Sequence, residues 1–196
     1  MKKIIVQGTS AFLGFTFWGA GMVKLYEGHN FIQWIGPPWL VERLAEFDLG
    51  LYAQFIAFCQ ILIGFMLITT RYKLLGSIML VPMILNILMV TISQHWRGTP
   101  YVLAVLFLMN LFILWQYRAY FSPLLNETPF PVKEQSQNTK SWLGHLVWIA
   151  GLGLCLSSVG LSYFNLILAF VMAGLGLLLG VLSFKADKKP YPVQDS

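Results

Sequence analysis

Charge is what this chain has least of. Asp, Glu, Lys and Arg make up 11% of its 196 residues, against roughly 25% in an average soluble domain. Five long stretches contain none of the four: residues 4–23, 49–70, 74–94, 98–117 and 141–184. A soluble core built on this composition is excluded, because 57% of the residues are hydrophobic and the uncharged runs reach membrane-crossing length. An apolar helix needs about 20 residues to cross the hydrocarbon layer. The 44-residue run from Ser141 to Phe184 therefore fits two crossings, with the turn expected at residues 162–165.

Other absences narrow the chemistry. There are two cysteines, Cys59 and Cys155, both inside uncharged runs and with no Cys-x-x-Cys between them, which argues against a structural disulfide and against thiol redox work. The three histidines show no metal-ligand spacing, so no metal site is expected. No Ser-His-Asp order and no phosphate-cradling glycine loop occurs, and the uncharged runs hold no acid for paired-carboxylate catalysis. No catalytic residue can be named. The pI near 9.3 would suggest nucleic acid in a soluble chain; here the basic residues sit at the ends of apolar runs, where they set orientation instead.

The expected fold is therefore an all-α, polytopic membrane helical bundle with six transmembrane helices. With the amino terminus inside, Lys2, Lys3, Arg71, Lys73, Arg118, Lys133, Lys140, Lys185, Lys188 and Lys189 fall on the cytoplasmic side and only Lys24, Arg43 and Arg97 outside. The positive-inside rule then places both termini in the cytoplasm and the protein in the cell (inner or plasma) membrane. Met1-Lys2-Lys3 before an apolar run resembles a signal peptide, but the run is of spanning length and is read as the first crossing.

Residues 1–121 form a four-helix membrane unit, and 122–140, rich in Pro and polar residues without hydrophobic period, a cytoplasmic linker. Residues 141–184 form a terminal transmembrane hairpin and 185–196 a cytoplasmic tail, giving a 4+2 plan. No internal repeat is visible, which weakens a small-transporter reading. The outer segment 36–48 carries Leu40, Leu44 and Phe47 on one helical face, as expected of a short interfacial helix that lies at the headgroups or roofs a cavity. Pro82 is expected to kink the third crossing. Gly151, Gly153, Gly160, Gly174, Gly176 and Gly180 are read as close-packing positions of the hairpin, with an oligomer contact as the alternative.

Polar residues inside apolar helices carry the candidate site. Gln60, Asn86 and Asn110 fall near mid-membrane on three helices, where lipid offers no hydrogen-bond partner. They serve either as glue between helices or as a pocket for a carbonyl or hydroxyl of a lipid-soluble ligand. Lys24 and His95 lie nearer the outer surface, with Glu27, Gln54 and Arg97 on the rim around them. Lys24 either snorkels outward along its stem or faces the bundle for a purpose.

Three local patterns then resemble one family. They are Gly21-Met22-Val23-Lys24-Leu25, the run from Gln60 through Gly64 to Arg71, and Asn110 through Arg118 followed by Pro123-Leu124-Leu125. The first 125 or so residues are similar to the DoxX family of four-helix membrane proteins, named after a subunit of a thiosulfate:quinone oxidoreductase; the terminal hairpin lies outside the likeness. Gln60 stands where many relatives carry Glu, which keeps the hydrogen-bonding shape but cannot titrate. The resemblance implies a quinone-linked redox subunit, with quinone as the ligand and a partner redox subunit or a second copy as partner, or a relative that kept the bundle without the reaction. A noncatalytic assembly protein is the alternative from another class. Beyond the lipid bilayer, no nucleic acid partner is expected.

Overall fold

The computed structural model describes residues 2–33, 35–121 and 141–187, and every regular element among them is helical. The linker 122–140 and the last nine residues lie outside the described residues. The α-helices are α1 (Lys2–Leu25), α2 (Leu40–Ala45), α3 (Gly50–Ile68), α4 (Lys73–Ser93), α5 (Thr99–Gln116), α6 (Trp142–Ser162) and α7 (Leu166–Leu182). Helix is what such sequence must form in lipid, since it satisfies each backbone N–H and C=O internally. α4 runs unbroken through Pro82. The turn between α6 and α7 falls where the 44-residue run suggests, with Asn165 Oδ1 accepting from Leu168 N at 3.0 Å to cap α7.

Among the described residues, five stretches are long and apolar enough to cross a membrane: α3, α4, α5, α6 and Leu166–Ala186. α1, counted in the sequence as a sixth crossing, has 24 residues but is less apolar, because Gln7, Thr9, Ser10, Thr16 and several glycines interrupt it. Two of these polar groups find acceptors within the protein. Ser10 Oγ donates to Leu67 O on α3 at 2.9 Å, and Thr16 Oγ1 to Phe12 O one turn back at 2.9 Å.

The closest packing in the molecule is between α1 and α3. Glycine permits it. A Cβ on Gly14 would strike the backbone of Ile68, one on Gly64 the backbone of Trp18, and one on Gly21 would stand 2.6 Å from Ala57 O. Backbone meets backbone along this seam, the arrangement that small residues favour in membranes. One apolar cluster on this pair gathers Leu13, Ile63 and Leu67 with Leu80, Ile84 and Leu106 of α4 and α5. A second joins Trp18, Met22 and Phe65 to Trp148, Cys155 and Ala173 of α6 and α7.

α6 and α7 also meet through glycine, since a Cβ on either Gly151 or Gly176 would lie 2.6 Å from the other's carbonyl oxygen. Gly180 faces α3, where an added Cβ would be 2.5 Å from the ring tip of Phe65. Gly153, Gly160 and Gly174 face open space. Polar bonds hold the hairpin at both ends. At one end Tyr26 Oη donates to Ser158 Oγ at 2.8 Å and Glu27 N donates to Ser162 Oγ at 3.1 Å. At the other, Arg71 reaches Asp187 through two bonds of 2.8 and 2.9 Å, and Ser141 N donates to the same carboxylate at 2.9 Å. These contacts bring the α3–α4 turn, the start of α6 and the end of α7 to one face, and the end of α1 and the α6–α7 turn to the opposite face.

The Arg71–Asp187 pair is almost wholly buried, with side-chain exposures of 0% and 2%. Gly144 makes the room, since a Cβ there would stand 2.5 Å from Asp187 Oδ1. Burial pushes the Asp187 carboxyl upward, but the hydrogen bonds from Arg71 and Ser141 N outweigh it and hold it below the ordinary carboxylate range. The pair's contribution is complete above that range and is lost as pH falls through about 4 and lower.

Two outcomes follow from this packing. Gly64→Ala is expected to force α1 off α3, cost about 2 kcal/mol and lower the melting temperature of the detergent-solubilised protein, while Gly153→Ala leaves it unchanged. Asp187→Asn removes one partner of a buried pair and is expected to cost about 3 kcal/mol. The loss should be visible at pH 7 and vanish in acid, where the wild-type carboxyl is itself protonated.

Candidate functional site

The seam between α1 and α3 sets the position of Lys24. Gly21 lies one turn before it and brings α1 against α3, so the Lys24 stem cannot reach outward past the neighbouring helix. The side chain is buried at 6% exposure, its neighbour across the seam, Gln60, at 3%. Lys24 Nζ donates to Ala20 O at 2.6 Å and to Gln60 Oε1 at 3.2 Å. No salt bridge to Lys24 occurs among the described residues. Of the two readings of this lysine, the inward one holds.

Both residues face a cavity of about 40 Å³ enclosed by α1, α3, α4, α5 and the loop before α2. That is room for on the order of three waters or one small functional group. Its walls are mostly apolar: Phe17 on α1, Ile87 on α4, Leu103 and Leu106 on α5. Thr16 and Thr91 also line it, but each hydroxyl donates its hydrogen to a carbonyl of its own helix, Phe12 O and Leu88 O. The free donors at the floor are those of Lys24 and Gln60. The Gln60 amide NH2 has no partner among the described residues, its oxygen being the acceptor for Lys24.

Gly36, Pro37 and Trp96 with Thr99 roof this cavity and also border a wider vestibule of about 350 Å³, which Trp39 and Arg97 complete. The Trp39 and Trp96 rings meet at 5.0 Å between centroids. The roof is tied down from two sides. His29 lies 3.0 Å from Val23 O through Nδ1 and 2.9 Å from Glu42 Oε1 through Nε2, linking the end of α1 to α2. Leu40 and Leu44 of α2 are buried, and Leu40 reaches the cavity wall, so the short interfacial helix also serves as part of the roof. Phe47, expected on the same face, is exposed beneath the Arg43 guanidinium.

The sequence-derived candidates do not converge on one pocket. Lys24 and Gln60 are brought together. Asn86 is exposed on α4, where its Oδ1 accepts from Tyr52 Oη of α3, and it borders a minor crevice between α2, α3 and α4 and not the Lys24 cavity. Asn110 is fully buried nearer the Arg71 end, joining α5 to α4 through Nδ2 and Ser77 O at 2.9 Å; its Oδ1 and Ser77 Oγ have no partner there. His95 is exposed after α4 with a φ of 54° and lines neither space. Of the rim residues, Arg97 borders the vestibule, whereas Glu27 and Gln54 are exposed and outside it.

Trp96 and Thr91 belong to the site but carried no sequence signal of their own, whereas the segment that begins at Gly36 reads in the sequence as an interfacial helix or a roof. An indole at the end of an apolar run reads as an interfacial anchor, and two threonines on different helices have no spacing to detect. Comparison of the chain with protein-family models, with curated proteins and with solved structures returns no match, so the reading of this cavity rests on its geometry.

Proposed function

We propose that this protein is a DoxX-like, six-helix membrane protein of 4+2 plan that binds a lipid-soluble ligand by an oxygen-bearing head group, with a quinone as the leading class. The observation that carries this reading is a buried amine beside a buried amide, both facing a cavity between helices that hold no acid. Two N–H donors aimed into an apolar enclosure suit a ligand that brings acceptors. A quinone carbonyl edge fits the enclosed volume, with the ring in the vestibule. Asn86, Asn110 and His95 act outside this cavity as helix contacts and surface groups.

If the bound quinone is turned over, the protein is the membrane subunit of a quinone-dependent oxidoreductase, with electrons supplied by a partner subunit. The alternating direction of the helices and the concentration of Lys and Arg at the Arg71 end support cytoplasmic termini in the cell membrane. The packing glycines Gly151, Gly176 and Gly180 face helices of the same chain, so they offer no docking surface to support a purely assembly role.

The ligand reading is checked by purifying the protein from native membranes and assaying extracted lipid for quinone. Quinone is expected to co-purify in stoichiometric amount, and Lys24→Met with Gln60→Leu to weaken rebinding at least about tenfold. An empty protein that binds no quinone analogue defeats the quinone assignment. Orientation is checked separately: alkaline phosphatase fused after residue 196 should be inactive, and active if fused in the loop near residue 30.

A further inference from the structure

Among the described residues, no carboxylate pairs with Lys24. An ammonium carries three hydrogens, and at Lys24 two are directed at neutral carbonyl oxygens, Ala20 O and Gln60 Oε1. The third has no acceptor among the described residues, and Lys24 lines the cavity. Among the described residues, no Asp or Glu lines the cavity or the vestibule above it. Intramembrane charged residues pair with one another or with backbone carbonyls; among the described residues the other deeply buried basic side chain, Arg71, has Asp187 at 2.8 Å, whereas Lys24 has only two carbonyl oxygens.

Two further features define the missing anion. Gln60 is anchored by its oxygen, so its NH2 stands beside the amine, giving adjacent donors for two oxygens of one group. The enclosed volume of about 40 Å³ admits a group of a few heavy atoms, and the vestibule of about 350 Å³ admits the body of a small molecule. Arg97, the one charged residue among the described residues that border the vestibule, places a cation at its mouth.

We propose that this cavity receives the carboxylate of a small monocarboxylic acid, which enters past Arg97 and seats its two oxygens on Lys24 Nζ and Gln60 Nε2. The assignment rests on the reading of the cavity as a site for an oxygen-bearing head group and stands against the quinone within that reading: the two compete for one cavity, and the experiment below decides between them. The apolar walls favour an acid with a hydrocarbon body. With one amine and one amide as its donors, the floor favours a monoanion over a dianion. Carboxylates from water and from lipid share this chemistry; the mouth of the vestibule at the Lys24 end of the bundle favours the soluble acid.

The experiment is equilibrium binding of radiolabelled butyrate to the full chain in detergent and in nanodiscs, with butyramide, chloride, oleate and a short-chain quinone as competitors. Saturable binding is expected, displaced by unlabelled butyrate and not by butyramide or by equimolar chloride. Lys24→Met should weaken it at least tenfold, and Arg97→Gln should lower the association rate several-fold with a flatter salt dependence. Gln60→Glu is the decisive variant, because it places a carboxylate of the chain itself against Lys24: butyrate binding should disappear while helicity and elution profile stay unchanged. Undiminished butyrate binding by Gln60→Glu overturns the proposal, as does equal competition by chloride. Butyramide or the quinone binding as well as the acid overturns the carboxylate and leaves a ligand cavity standing. Oleate displacing butyrate at far lower concentration overturns the soluble source and moves the ligand into the lipid phase. If no probe binds, the carboxylate and the ligand cavity fall together.

Discussion

The backbone contact of α1 with α3 is the constraint on which the other features rest. Gly14, Gly21 and Gly64 remove the side chains that would separate the two helices, and no larger residue could replace them without moving one helix bodily. The approach has two results. It lets Lys24 and Gln60, on different helices, meet at 3.2 Å. It also makes the pair a thin central wall, against which α4 and α5 pack on one side and α6 and α7 on the other. In lipid, where apolar burial supplies little drive for helices to associate, such van der Waals fit and interhelical hydrogen bonding must hold the bundle together.

The helices themselves were plain in the amino-acid sequence. Uncharged runs of spanning length mark α3 to α7, and the position of the α6–α7 turn followed from dividing one run in two. The site was half visible. Lys24 is conspicuous because a charge next to an apolar run is rare, and Gln60 because it is an amide within one. Depth can be counted along a helix, but facing cannot: Asn86 and Asn110 have a similar depth on paper and point away from the cavity, because rotation about the helix axis is settled by packing partners distant in sequence. α1 shows the opposite difficulty. Its Ser, Thr and Gly content, which lowers its apolarity, is what fits it to α3, so the composition that obscures it as a crossing is a consequence of its central place.

The terminal hairpin appeared in the sequence as an appendage with little chemistry. Its polar residues are few, but they sit where they bind the rest of the molecule. Trp148 Nε1 donates to Thr69 Oγ1 at 2.9 Å, Ser158 and Ser162 hold the segment that follows Lys24, and Asp187 holds Arg71. Tyr26 and Glu27, two of the residues gripped in this way, begin the loop that leads to the roof of the cavity. The hairpin therefore fixes the starting point of that roof without contributing a residue to the cavity lining.

The Arg71–Asp187 contact spans 116 positions of chain, and this separation has a consequence for biogenesis. Ribosomes deliver the helices in order, so Arg71 reaches the membrane long before the carboxylate it pairs with has been made. Until then the guanidinium must stay among headgroups and water, and the α3–α4 turn cannot settle to its final depth. Docking of the last helix draws both charges under cover together. The buried ion pair at that end is thus complete only once the end of the terminal hairpin is in place.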